Sequence, residues 1–71
     1  MITMREVAAA VHSVRVGDRV AFDHAGVERR GVINRITKRA TVLIPDPAGE
    51  LYGDGNRYRR YLVPLDRLRK A

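Results

Sequence analysis

The chain has 71 residues, a net charge of +6 at neutral pH and no cysteine. That length allows one domain with a small core, and the missing cysteines exclude disulfides and every cysteine-based zinc or iron–sulfur site. No apolar run approaches the roughly 20 residues of a bilayer span, and no signal-peptide pattern opens the sequence, so a soluble, cytoplasmic protein with no membrane partner is expected.

In chain order, Thr3-Met4-Arg5-Glu6 has the Thr-x-x-Glu form of a capping box. The Val-Ala-rich stretch after it favours helix, which predicts a short α-helix over residues 4–12. Gly17 and Asp18 reset the chain, and the period then becomes that of strands. Residues 19–23 alternate as a half-buried strand does. Ala25-Gly26 signals a turn, and residues 27–37 form a long second strand. Ile33 and Ile36 are three apart, so both can face the core only if this strand bulges between them.

Residues 39–44 read as a third strand, ended by Pro45 and Pro47 because proline cannot donate to a ladder. Residues 46–56 read as a long loop or extended hairpin tip, in which Tyr52 would be an exposed contact if the segment sets specificity. Residues 58–63 form the fourth strand, residues 64–68 a single helical turn, and the last residues a short closing strand. The expected core is Val20, Phe22, Ile33, Ile36, Val42, Ile44, Tyr61, Val63, Leu65 and Leu68. The whole chain, 1–71, is taken as one domain, with the helix outside a barrel spanning 17–70. Closing the strands into a barrel would remove the exposed sheet edges that invite aggregation.

Gly17-Asp18-Arg19-Val20-Ala21-Phe22, followed by Gly31-Val32-Ile33-Asn34-Arg35-Ile36, resembles the opening of SH3-like small barrels of the KOW and Tudor type. Residues 61–68, Tyr-Leu-Val-Pro-Leu-Asp-Arg-Leu, are similar to the last strand and closing turn of such barrels. The resemblance implies a mainly β fold: an SH3-like five-stranded small barrel preceded by a short N-terminal helix. KOW-type domains bind RNA or ribosomal and transcription proteins. Tudor-type domains bind methylated side chains in an aromatic cage, and this chain has only four aromatic residues with which to build one. Plasmid-borne type II dihydrofolate reductases also use a barrel of this size, but their Val-Gln-Ile-Tyr pore segment is here Arg60-Tyr61-Leu62-Val63, and the chain has no glutamine.

The positive charge falls in two blocks. Arg29, Arg30, Arg35, Lys38 and Arg39 occupy residues 29–39 without an acid, and Arg57, Arg59, Arg60, Arg67, Arg69 and Lys70 outweigh Asp66 in residues 57–71. The stretch between them holds only acids, Asp46, Glu50 and Asp54. In an SH3-like barrel the second, third and fourth strands are neighbours, so the two blocks meet around the third. Arginine forks suit bidentate phosphate recognition. Tyr58, set among Arg57, Arg59 and Arg60, is placed to stack on a base, while Tyr61, three residues on, falls on the opposite, core face.

The expected partner is therefore nucleic acid, RNA or DNA, held by Arg29, Arg30, Arg35, Lys38, Arg39, Arg57, Tyr58, Arg59 and Arg60. The competing readings are a solvated basic face and a protein-interaction adaptor or homo-oligomer. His12, His24, Ser13 and the carboxylates form no catalytic set, and the loop acids are not spaced as cation ligands. No catalytic residue, metal or cofactor is expected, and the chain reads as a binding protein, not an enzyme.

Overall fold

The computed structural model describes residues 14–71. The helix expected over 4–12, together with His12 and Ser13, lies outside them. The fold is mainly β: β1 (Arg19–His24), β2 (Val27–Ile36), β3 (Arg39–Leu51), β4 (Arg57–Pro64) and β5 (Arg69–Lys70), with one 3-10 turn at Leu65–Arg67 before β5. All pairings are antiparallel, in one sheet of order β4-β3-β2-β1-β5. No helix among the described residues is long and apolar enough to cross a membrane.

Local chemistry explains the connections. Ala25 and Gly26 both have positive φ (52° and 75°), the backbone of the two-residue turn whose twist matches a right-handed hairpin. The register of β2 on β3 shifts between Ile33 and Arg35. Asn34 is the extra residue, so Ile33 opposite Val42 and Ile36 opposite Ala40 both face inward, as their spacing requires. Before β1, Gly17 donates to the Ile33 carbonyl at 2.8 Å, and the Ile33 amide donates to that of Asp18 at 3.0 Å.

The inner face carries the core. Val20, Phe22, Ile33, Ala40, Val42 and Val63 are buried there, with Ile36, Ile44, Tyr61, Leu65 and Leu68 packed around them. The Phe22 and Tyr61 ring centroids are 5.5 Å apart, and His24 meets Tyr61 edge-on at 4.9 Å. Three strand spacings separate β1 from β4 in the sheet order, about 14 Å if the sheet were flat. The contact therefore requires the sheet to curl until β1 meets β4 across the core.

The curl does not close. β4 and β5 are the two edges of the sheet, so the edge-free barrel expected from the sequence is not formed. The physical reason is length: β5 has two residues, and both are spent pairing with β1.

The prolines also act differently from expectation. β3 runs 13 residues, through Pro45 and Pro47, to Leu51. Its pairing with β2 stops at Leu43, whereas its pairing with β4 continues to Leu51 opposite Arg57. A proline removes a single donor, which releases one neighbour and leaves the other. Beyond Leu43, β3 and β4 thus form a two-stranded arm, interrupted by a register shift between Pro45 and Glu50.

Gly31 marks the parting of β2 from β3. A Cβ there would collide with the Leu43 carbonyl oxygen and lie 2.8 Å from Val42 Cγ1. Backbone cannot yield as a flexible side chain does, so Gly31→Ala is expected to cost about 2 kcal/mol. In thermal unfolding this should appear as a Tm lower by about 10 °C.

Candidate functional site

Cross-strand pairs share a face, so the register assigns each basic residue a side. Phe22 pairs with Arg29, and Val20 with Gly31, which puts Arg29 on the inner face. Arg29 is half-buried there, and its enclosed Nε has no hydrogen-bond partner among the described residues. Arg30, one residue on, points outward. On β4, Arg57 and Arg59 take the inner side, opposite Leu51 and Ile44, while Tyr58 and Arg60 take the outer side. Arg35 and Arg39 also lie outward, paired with Thr41 and Pro64. Lys38 sits in the connection between β2 and β3. The nine residues expected to form one surface are therefore divided between two faces.

Three of them already have local partners. Arg30 pairs with Glu28 at 3.3 Å, Arg59 with Asp46 at 3.0 Å, and Arg57 donates to the Gly49 carbonyl at 3.1 Å. Part of the second basic block is similarly engaged around β1 and β5. Arg69 bridges Asp23 (3.4 Å) and Glu28 (3.0 Å), and Lys70 lies 3.7 Å from Asp18. The Arg69 and Arg30 guanidiniums hold Glu28 below the usual carboxylate range. Arg35, Lys38, Arg39 and Arg60 remain exposed, and no ion pair among the described residues involves them.

Two of these four converge. Arg35 and Arg60 line a hollow of about 530 Å³ on the outer face with Thr37, Thr41 and Leu62, and no carboxylate among the described residues contributes to its lining. Each basic block supplies one arginine. The hollow shares Asn34 and Tyr52 with a second of about 390 Å³, lined by Val32, Leu43, Tyr58 and Asp54. The pair forms one polarised groove, cationic at one end and aromatic with one acid at the other.

The aromatic end is built by the tip of the arm. Tyr52 and Tyr58 meet edge to face, with centroids 5.4 Å apart and planes at 83°. The Tyr58 hydroxyl donates to Asp54 Oδ2 at 2.6 Å, and Asp54 Oδ1 accepts from the Asn56 amide at 2.9 Å. Leu43 points outward yet is only 8% exposed, because the tip folds over it. Tyr61 is on the core face, as its spacing from Tyr58 predicts. Tyr52, Asn34, Thr37 and Thr41 are groove residues that the charge pattern did not single out. Arg19 also belongs to this face, in the cross-strand row Arg19–Val32–Leu43–Arg60. The loop acids have structural work: Asp46 accepts from the Ala48 amide at 2.9 Å as well as pairing with Arg59.

The bond between Tyr58 and Asp54 has a pH signature. Accepting the phenol proton lowers the Asp54 carboxyl, and the same bond raises the Tyr58 phenol. A lowered acid adds stability above its unfolded value that is lost as pH falls through the folded one. A raised phenol adds stability below its unfolded value, about 10, that is lost as pH rises through the folded one. The tip is thus held most firmly between the carboxylate and phenol ranges. Following the Tyr58 ring by NMR, Asp54→Asn should move its titration to lower pH; an unchanged titration would show that the bond is not formed in solution.

No family model matches the chain, and no curated protein or solved structure matches it.

Proposed function

We propose that this chain binds single-stranded nucleic acid along the outer-face groove, on an SH3-like sheet, and that it acts by binding without catalysis. One observation carries the reading. Arg35 and Arg60, one from each basic block, converge on a hollow that no acid among the described residues lines, beside two tyrosines. Arginine forks beside aromatic faces are the chemistry with which proteins hold a phosphate chain and its unstacked bases. Lys38 and Arg39 extend the cationic end toward the β2–β3 connection. The SH3-like assignment is supported by the neighbouring order of β2, β3 and β4, and by the 3-10 turn that leads into a short last strand.

If these four cations each neutralise a phosphate of a single strand, log K should fall with log salt at a slope of about −3. That is a loss of roughly 50-fold between about 50 and 200 mM salt. Fluorescence anisotropy with labelled single- and double-stranded RNA and DNA at these two salt concentrations tests it. The tightest binding is expected for single strands, and no measurable binding at low salt would sink the proposal.

A self-associating module is the second reading. Its support is the edge of β4, unpaired among the described residues, together with Leu62, which is 64% exposed on that strand. Light scattering at micromolar concentration separates the two readings: a monomer disfavours assembly through that edge.

A further inference from the structure

The groove is chemically unequal along its length, and this inequality specifies more than affinity for a polyanion. The hollow beneath the tip is walled by Val32 and Leu43 on the sheet side and by the two perpendicular tyrosines on the other. A planar group entering that corner stacks on one ring and meets the second with its edge. The volume, about 390 Å³, falls within the size range of small-ligand sites. Asp54 lines this hollow, so a phosphate entering it would face a carboxylate. The phosphate belongs at the other end, with Arg35 and Arg60, across the shared Asn34 and Tyr52.

Asp54 bears on the choice of planar group as well. Each of its oxygens accepts one hydrogen bond, from Tyr58 and from the Asn56 amide, and a carboxylate has further acceptor capacity. Asn34, the extra residue of the β2 bulge, brings an exposed amide with a donor and an acceptor to the same hollow. An ionised acceptor at the rim of an apolar slot favours a ring bearing an amino donor over one presenting only carbonyl oxygen at that position.

We infer that the hollow under Tyr52 and Tyr58 takes one unstacked nucleobase bearing an exocyclic amine, while Arg35 and Arg60 hold an adjacent phosphate. This rests on the nucleic-acid reading above and adds a base preference to it. Cytosine and uracil are the informative pair, because they match in size and differ only at positions 3 and 4. There cytosine sets an amine beside a ring acceptor, and uracil a carbonyl beside a ring N–H.

The test uses the full chain and three labelled oligonucleotides of equal length: oligo-cytidine, oligo-uridine and an abasic strand. All three should show the same salt slope, because their phosphates are the same. The abasic strand should bind about ten-fold more weakly than oligo-cytidine, and oligo-uridine about five-fold more weakly. In Asp54→Asn the cytidine preference over uridine should collapse while the salt slope stays unchanged. Free cytidine monophosphate, titrated separately, should bind far more weakly than the strand; equal affinity would identify the site as one for a free nucleotide and overturn the strand proposal.

Abasic and cytidine strands of equal affinity would overturn the base site and leave the phosphate reading standing. Cytidine and uridine of equal affinity would overturn the role given to Asp54. Binding of none of the three would remove both readings together.

Discussion

Phe22→Ala is expected to remove a large share of the chain's stability. Phe22 is the only phenylalanine in the sequence and is 2% exposed. It is also where the curled sheet meets itself: it packs on Tyr61 of β4 from β1, three places away in the order. Deleting a buried phenylalanine side chain costs about 3–5 kcal/mol, through lost transfer energy and the cavity left behind. A chain of this length has a total stability of roughly 4–10 kcal/mol, so the loss is comparable with the whole. Circular dichroism with urea titration would show it as a lost or strongly shifted transition. Phe22→Leu, which keeps most of the volume, should retain the fold. A variant Phe22→Ala as stable as the parent would mean that the curl does not depend on this contact.

Reversing charge at the groove should have the corresponding effect on binding. Arg35→Glu with Arg60→Glu removes two cations and adds two anions where the basic blocks converge, and should weaken single-strand binding more than about 100-fold at low salt. The salt slope should shrink by about 1.4, roughly 0.7 for each single-strand phosphate contact removed. Both side chains are exposed and make no ion pair among the described residues, so the melting temperature should hardly move. Arg59→Glu with Arg57→Glu is the matched control: the same charge change, within the second block and on the other side of β4. If both double variants lose affinity equally, net charge governs binding and the groove has no special role.

The strands and the inner face were legible because side chains alternate with period two, a property of the backbone alone. The spacing of Ile33 and Ile36 even predicted the bulge. What local pattern could not reveal was pairing at a distance. Pro45 and Pro47 read as a strand end because a proline's missing donor is visible in sequence, whereas the second neighbour that keeps the strand paired is not. Leu43 and Ala21 lie on the outer face and are nonetheless buried; Leu43 is covered by the folded-over tip, and Ala21 stands in register between Arg30 and Arg69.

The candidate site was legible as charge and illegible as shape. Adjacent arginines such as Arg29 and Arg30 must diverge on a strand, but which one faces outward depends on the register with β1. Arg30 and Arg59 found carboxylates that composition alone could not assign to them. Tyr58 was anticipated, yet its partnership with Tyr52 needed the arm to bend at its register shift.

In the proposed binding mode, that arm separates what recognises from what folds. Past Leu43, its strands pair only with each other, and its tip places one wall of the groove over a sheet whose core lies on the opposite face. Opening it breaks few contacts of the core, so its excursions can be frequent while the sheet persists. Residues at the tip can change in length or identity at small cost to global stability, as surface loops generally do. A lineage carrying this scaffold could retune what it grips by rewriting a dozen or so positions and leave the rest of the molecule untouched.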